Sequence, residues 1–279
     1  MSLSPSETTR LLHSLDIRPS KKLGQNFLVD GNIVKKSIVM AKLQPKEVVL
    51  EIGPGLGTLT EALLELNQVV HAVEIDSRLF KHLQNKFEDS IKSKKFFPIL
   101  ADAVKSPIGS IPENCSRFKI VANLPYAIAS HWMEALLASG NIPESMTLML
   151  QKEAAERILA QACCKKYNAL AIFLKGSFSP GQIHFVPSQC FYPTPAVDSV
   201  LLQLNREKCP FLFSKTSRSL IRGIFTQRRK QIGSVAKGRE CNERERIQNW
   251  LEKMDLSPTL RPEQIPPDAW QELETELNS

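Results

Sequence analysis

The chain has 279 residues, 42% of them hydrophobic, a formal net charge of +7, six cysteines and five histidines. That length supports one large core plus a smaller appended domain. No apolar run approaches the roughly 20 residues that span a bilayer, and the N-terminus lacks the basic region and apolar run of a secretory signal, so a cytoplasmic location is expected and a membrane partner is not.

In chain order, residues 1–20 read as a flexible, Ser-rich polar tail in which Glu7 and Asp16 argue against a transit peptide. From Val48 to about Leu150, short apolar runs alternate with amphipathic stretches, as expected of a parallel α/β sheet with helices on both faces. Val48–Ile52, Val69–Glu74, Phe97–Leu100, Phe118–Ala122 and Met146–Leu150 read as successive strands. Helices carrying Leu59, Leu63 and Leu66, and then Leu79, Leu83 and Phe87, follow the first two. Lys152–Ala160 reads as a helix, and Leu170–Phe173, Ile183–Val186 and Val200–Leu204 as later strands. Beyond about Pro210 the texture changes to charged amphipathic helices, the last near Asp268–Leu277. Domains are therefore expected at 21–207 and 208–279.

Cys115, Cys163, Cys164, Cys190, Cys209 and Cys241 show neither C-x-x-C spacing nor a secreted disulfide framework, and the histidines form no H-E-x-x-H pair. Reduced thiols and no metal are expected. Between Arg206 and Glu240, basic residues including Arg218, Arg222, Arg228, Arg229 and Lys230 face only Glu207 and Glu240. So one-sided a stretch suits a polyanion.

Asn123-Leu124-Pro125-Tyr126 follows the fourth predicted strand. The nitrogen lone pair of a planar exocyclic amine such as adenine N6 is delocalised, so this amine needs hydrogen-bond acceptors more than a strong base. An Asn oxygen and a backbone carbonyl can take its two N–H groups and orient the nitrogen. Pro125 stiffens the turn, and Tyr126 offers a ring on which an unstacked base can rest. Taken alone, the tetrapeptide is also compatible with an ordinary strand-ending turn.

Gly53-x-Gly55-x-Gly57 between strand and helix allows close backbone approach to a ligand. Glu74, at the end of the next strand, is placed to accept from ribose hydroxyls. An NAD-dependent dehydrogenase is compatible with these two features, but the spacing is not the G-x-G-x-x-G fingerprint. Asp102, at the third strand end, could contact the adenine amine of S-adenosylmethionine, with Asn123 where methyl donor and acceptor would meet.

Gln25-Asn26-Phe27-Leu28, Glu51 to Gly57, Ala72 to Asp76, Asn123 to Tyr126, Gln151-Lys152-Glu153, Phe191 to Ser199 and Gln227-Arg228-Arg229-Lys230 occur in one order. Together they closely resemble the ribosomal small-subunit RNA adenine dimethyltransferases of the kasugamycin-sensitivity type, from about Lys21 to the C-terminal helices. The resemblance implies a Rossmann-like class I S-adenosylmethionine-dependent methyltransferase sheet over 21–207 and a helical RNA-docking domain over 208–279. It implies dimethylation of N6 on two adjacent adenosines in the 3′-terminal hairpin of small-subunit (16S) rRNA. The expected partner is rRNA in a ribosomal particle, with no DNA, and the expected state is a monomer.

By the same resemblance, Asn26 and Leu28 close over the cofactor, Gly53, Gly55 and Glu74 hold its amino-acid and ribose parts, and Asp102 holds its adenine. Asn123, which also binds the cofactor and sits between it and the target amine, forms the catalytic turn with Leu124 and Pro125, and Tyr126 and Phe191 face the flipped base. Arg222, Arg228, Arg229 and Lys230 dock RNA. The chain departs from the family pattern at Ala127-Ile128-Ala129 (usually Asn-Ile-Ser), Asn168 (usually glycine) and Gln231-Ile232-Gly233 (usually Thr-Leu-Arg). Rival readings are a large-subunit rRNA methyltransferase of the macrolide-resistance type, an assembly factor acting mainly by binding, and a DNA adenine methyltransferase.

Overall fold

The computed structural model describes residues 4–20, 23–113, 115 and 117–278. The expected domain start at Lys21 lies outside them, as do residues 1–3 of the predicted tail.

The described part of that tail is not an extended polar segment but contains helix α1 (Pro5–Ser14). Ser4 and Glu7 form a reciprocal capping box, with Pro5 at the first helical position, so the first turn is satisfied locally. Leu12 and Ile17 then bury against Phe27, Leu56 and Leu79. The S-x-x-E signal was present in the sequence; the serine content masked it.

Strand β1 (Phe27–Leu28) and helix α2 (Gly31–Ala41, capped by Asp30) precede the main sheet. There follow β2 (Val48–Ile52), α3 (Thr58–Glu65), β3 (Val69–Glu74), α4 (Ser77–Lys86), α5 (Glu88–Lys92), β4 (Phe96–Leu100), β5 (Phe118–Asn123), α6 (Ala129–Ser139), β6 (Ser145–Gln151) and α7 (Lys152–Ile158). Next come α8 (Ala169–Ser177), β7 (Phe178–Val186), β8 (Phe191–Tyr192), β9 (Ser199–Arg206) and helices α9 (Lys215–Phe225), α10 (Ile232–Lys237), α11 (Cys241–Lys253) and α12 (Pro267–Asn278).

Seven strands form one sheet in the order β4-β3-β2-β5-β6-β9-β7. The strands from β4 to β6 pair in parallel, and β9 pairs antiparallel with β6. All five sheet strands predicted before Leu150 are present. The run Leu170–Phe173 is the exception: it lies in helix α8, where Asn168 caps the first turn by accepting from the Ala171 N–H. An apolar run buried on all sides carries no period, so strand and helix cannot be told apart from it.

Because β3 lies on one side of β2 and β5 on the other, the sheet has its topological switch between β2 and β5, where a crevice opens at the C-terminal strand ends. A separate antiparallel ribbon pairs Phe27 with Tyr192 and Leu28 with Phe191.

Two units emerge from the contacts: residues 1–155 with 180–206, and residues 156–179 with 207–279. The expected domains were 21–207 and 208–279. The segment 156–179 joins the second unit because α8, buried almost throughout, packs with α9 and α12. That unit's core stacks Trp250 on Trp270 at 5.1 Å and Phe225 on Trp270 at 5.7 Å. Among the described residues no helix is long and apolar enough to cross a membrane.

Gly57 lies at φ +77°, and a Cβ there would sit 2.6 Å from the Phe87 ring. Gly140 has the same φ but nothing within 4 Å. Gly57→Ala is expected to cost about 1–3 kcal/mol through overpacking added to backbone strain. Gly140→Ala carries only the strain and costs less. Urea midpoints of the two variants check the ordering.

Candidate active site

The loop leaving β2 turns through Gly53, Gly55 and Gly57, all at positive φ, a conformation that disfavours any side chain with a Cβ. At Gly53 a second constraint is steric. A Cβ would lie 2.9 Å from Cγ of Pro125, so the loop after β2 and the turn after β5 are in direct contact only because glycine stands there. A cleft opens along these strand ends. It is lined by Asn26 and Leu28, by Gly53 to Leu56, by Glu74 and Ile75, by Ala101 to Ala103 and by Asn123 to Tyr126.

Two carboxylates are buried at this cleft. Glu74, at the end of β3, accepts from the backbone N–H of Ile75 and Asp76 through one oxygen (2.9 Å each) and from Gly55 through the other (3.1 Å). Burial pushes its pKa up, and the three N–H groups oppose that shift. Glu51, within β2, accepts from the Thr60 hydroxyl at 2.6 Å and is pushed up to about 8, chiefly by burial, with the nearby Glu74 adding to the effect. Asp102, two residues beyond β4, accepts from the Val104 N–H at 2.9 Å. The strand alternation of β2 could have flagged Glu51 as an inward-facing acid; the sequence reading treated it only as part of the glycine motif.

Asn123 ends β5, and its Nδ2 donates to the Asn26 carbonyl at 2.9 Å. That bond fixes the amide and ties the segment before β1 to the catalytic turn. Leu124 is fully buried and anchors the turn. Ile128 N–H donates to the Pro125 carbonyl at 3.1 Å. Gly24 approaches closely enough that a Cβ would lie 3.1 Å from the Tyr126 nitrogen. The Tyr126 hydroxyl meets Ser199 Oγ at 2.6 Å, a partner that sequence reasoning passed over inside the Phe191 to Ser199 motif.

The cleft thus collects Asn26, Leu28, Gly53, Gly55, Glu74, Asp102 and the tetrapeptide. It does not collect Phe191. That ring is 2% exposed, packed in the core cluster with Val186, Cys190 and Leu201, and absent from the cleft wall. It pairs with Leu28 across the ribbon, and its expected place across the flipped base stays a proposal.

In the second unit, Arg222, Arg229 and Lys230 are exposed. Arg228 is instead half-buried and ion-paired with Glu263 through Nε at 2.9 Å and a second guanidinium nitrogen. Two of its five N–H groups are engaged by one Glu263 oxygen, so Arg228 has a structural partner as well as its proposed role at RNA.

The acid at Glu51 makes stability depend on pH. The folded protein keeps a proton that the unfolded chain, with an ordinary value of 4.5, gives up, so this group's contribution to stability is lost as pH rises from 4.5 through about 8. Glu51→Gln keeps an acceptor for Thr60 and removes the titration. Its urea midpoint should exceed the parent's at pH ~8 and approach it at pH ~5. Parallel curves for the two proteins would contradict this.

Comparison with known proteins accords with this geometry. The model of the family described as ribosomal RNA adenine dimethylase matches residues 18–258. A ribosomal RNA small subunit methyltransferase A from Opitutus terrae is 45% identical over 278 residues, covering 98% of this chain and 99% of the relative. A protein of the same name from Protochlamydia amoebophila is 35% identical over 278 residues, covering 99% and 97%. Among solved structures, a dimethyladenosine transferase from Plasmodium falciparum aligns with a TM-score of 0.71 at 26% identity, covering 90% of this chain and 97% of that one. The 23S rRNA methyltransferase ErmE aligns with a TM-score of 0.61 at 25% identity, covering 91% and 100%. With its glycine loop, its strand-end acids and its Asn-Leu-Pro-Tyr turn gathered on one cleft, the chain belongs to the ribosomal RNA adenine dimethylase family of S-adenosylmethionine-dependent methyltransferases.

Proposed function

We propose that the protein transfers methyl groups from S-adenosylmethionine to N6 of two adjacent adenosines in the 3′-terminal hairpin of small-subunit (16S) rRNA within a ribosomal particle, giving N6,N6-dimethyladenosine during ribosome biogenesis. The observation that carries the reading is Asn123, whose amide is fixed by the Asn26 carbonyl at the wall of a cleft that also holds Glu74 and Asp102.

The cleft suits the cofactor on its own chemistry. Gly53 and Gly55, both at positive φ, line the cleft with main chain, and Glu74 stands as a buried acceptor for vicinal hydroxyls. Asn26, Leu28, Gly53, Gly55, Glu74 and Asp102 would hold S-adenosylmethionine, which when bound supplies an electrophilic methyl group. Asn123 accepts an N–H of the target amine, and the Leu124 carbonyl in the stiff turn accepts the other. Tyr126 takes the unstacked base on its ring. Because Asn123 is neutral, it orients the amine without binding a developing cation, which suits a second transfer to the bulkier monomethylated nitrogen. The exposed Arg222, Arg229 and Lys230 contact RNA phosphates.

The small-subunit reading is favoured over the large-subunit rival by the 45% and 35% identical relatives, which carry small-subunit names, against 25% for ErmE.

Incubation with methyl-labelled S-adenosylmethionine and unmodified small subunits, followed by nucleoside mass analysis, is expected to yield N6,N6-dimethyladenosine at two adjacent 3′-terminal hairpin positions. Label confined to large-subunit RNA would overturn the assignment. Asn123→Ala should lower turnover by about 100-fold or more while cofactor affinity, read by calorimetry, stays intact. Full methylation by that variant would remove Asn123 from the mechanism. Replacing Arg229 and Lys230 together should flatten the dependence of log K on log salt by about one to two units. Arg228→Ala should instead lower thermal stability, because it leaves Glu263 without its partner.

A further inference from the structure

Tyr126 is a half-buried ring with a polar tip, and stacking on a base requires only the ring. Its hydroxyl adds an atom that must be satisfied once desolvated. It is satisfied by one side chain from another strand, Ser199 Oγ at 2.6 Å. Ser199 is fully buried at the first position of β9, in register with Gln151 of β6. Its neighbour Asp198 is held twice. The carbonyl accepts from the Lys152 N–H, and the carboxylate accepts from the Ser188 N–H, each at 3.0 Å. The serine is therefore a rigid anchor. The backbone of Tyr126 is fixed at the other end by the Pro125 turn and by the close approach of Gly24. Between these two ends only the side-chain torsions remain, and the hydroxyl bond removes their freedom.

We propose that Ser199 is a positioning residue for base capture, holding the Tyr126 ring through its hydroxyl in the orientation on which the target adenine stacks. This rests on the adenine-methylating function proposed above. Catalysis needs the ring preset because each subunit carries two adenosines and each takes two methyl groups. The base must therefore be seated with its amine at Asn123 in more than one substitution state. A ring free to swing would seat the unmethylated base and lose the bulkier, monomethylated one.

The test compares Ser199→Ala, Ser199→Thr, Tyr126→Phe and the double variant Ser199→Ala/Tyr126→Phe with the wild type on unmodified small subunits. Ser199→Ala is expected to lower kcat/KM for RNA by about three- to tenfold, the range for one net hydrogen bond. It should leave cofactor affinity by calorimetry unchanged and raise the share of N6-monomethyladenosine in the product. Tyr126→Phe should do the same, the double variant should be no worse than either single, and Ser199→Thr should restore wild-type behaviour. Losses that multiply in the double variant, or an unchanged product ratio in both singles, would overturn the proposal. Tyr126→Phe deletes the same bond without opening a buried cavity, so it decides the matter should Ser199→Ala misfold.

A second readout does not depend on RNA. The chain has three tyrosines, and with ring-labelled tyrosine the Tyr126 resonance, assigned by Tyr126→Phe, should shift in Ser199→Ala and return in Ser199→Thr. An unmoved resonance would refute the bond even if the protein methylates rRNA as proposed. A shifted resonance with no methylation by the wild type would refute the function and leave the bond standing.

Discussion

The contact between Gly53 and Pro125 is the constraint on which the site depends. Strands β2 and β5 are neighbours in the sheet, so the loop leaving one and the turn leaving the other must share the space above their ends. With any Cβ at residue 53 they would collide, and the turn carrying Asn123 would lift away from the loop. Because they touch, the loop and the turn form one continuous wall of the cleft, which on the proposed function would hold a methyl donor and its acceptor at a fixed separation. The glycine motif and the tetrapeptide are thus two halves of a single packing solution.

A second consequence concerns charge. Glu51 and Glu74 are both buried at the strand ends, and desolvation raises both pKa values, with repulsion from Glu74 adding to Glu51 and repulsion from Asp76 adding to Glu74. The protein manages the two differently. Glu74 receives three backbone N–H groups, the environment that supports a charged carboxylate, whereas Glu51 receives a single hydroxyl and keeps its proton near neutrality.

These features differ in how far they could be read from residues alone. Strands β2 to β6 were legible because apolar runs bounded by turn residues repeat at regular spacing; Glu74 and Asn123 could be placed because each ends such a strand, and Asp102 because it follows one. Helix α8 was not, since a run buried on every side has no period. Phe191 illustrates a different limit. An aromatic in a functional motif and an aromatic in a core have the same letter, and the burial of the Phe191 ring beside Val186, Cys190 and Leu201 could not be read from it. Arg228 shows a related limit. Its basic neighbours suggested a polyanion, but the partner that claims it, Glu263, lies 35 positions along the chain.

The departures from the family pattern become intelligible on these terms. Asn168, where glycine is usual, caps α8 and also donates to the Arg157 and Lys166 carbonyls, so the substitution adds hydrogen bonds to the helix start. Gly233, where a larger residue is usual, sits where a Cβ would meet Pro258 at 2.9 Å, which binds that exchange to the local loop rather than to RNA. At Ala127 and Ala129 polar side chains are lost, and α6, which starts at Ala129 with Ile128 at its N-cap, has no side-chain cap. The turn before it stays fixed because its restraints come from elsewhere: the Asn26 carbonyl on Asn123, Gly24 against the Tyr126 backbone and Ser199 on the Tyr126 hydroxyl. A catalytic turn braced from the N-terminal segment and from β9 does not need its own helix cap, so polar residues at its C-terminal side can be exchanged without displacing Asn123.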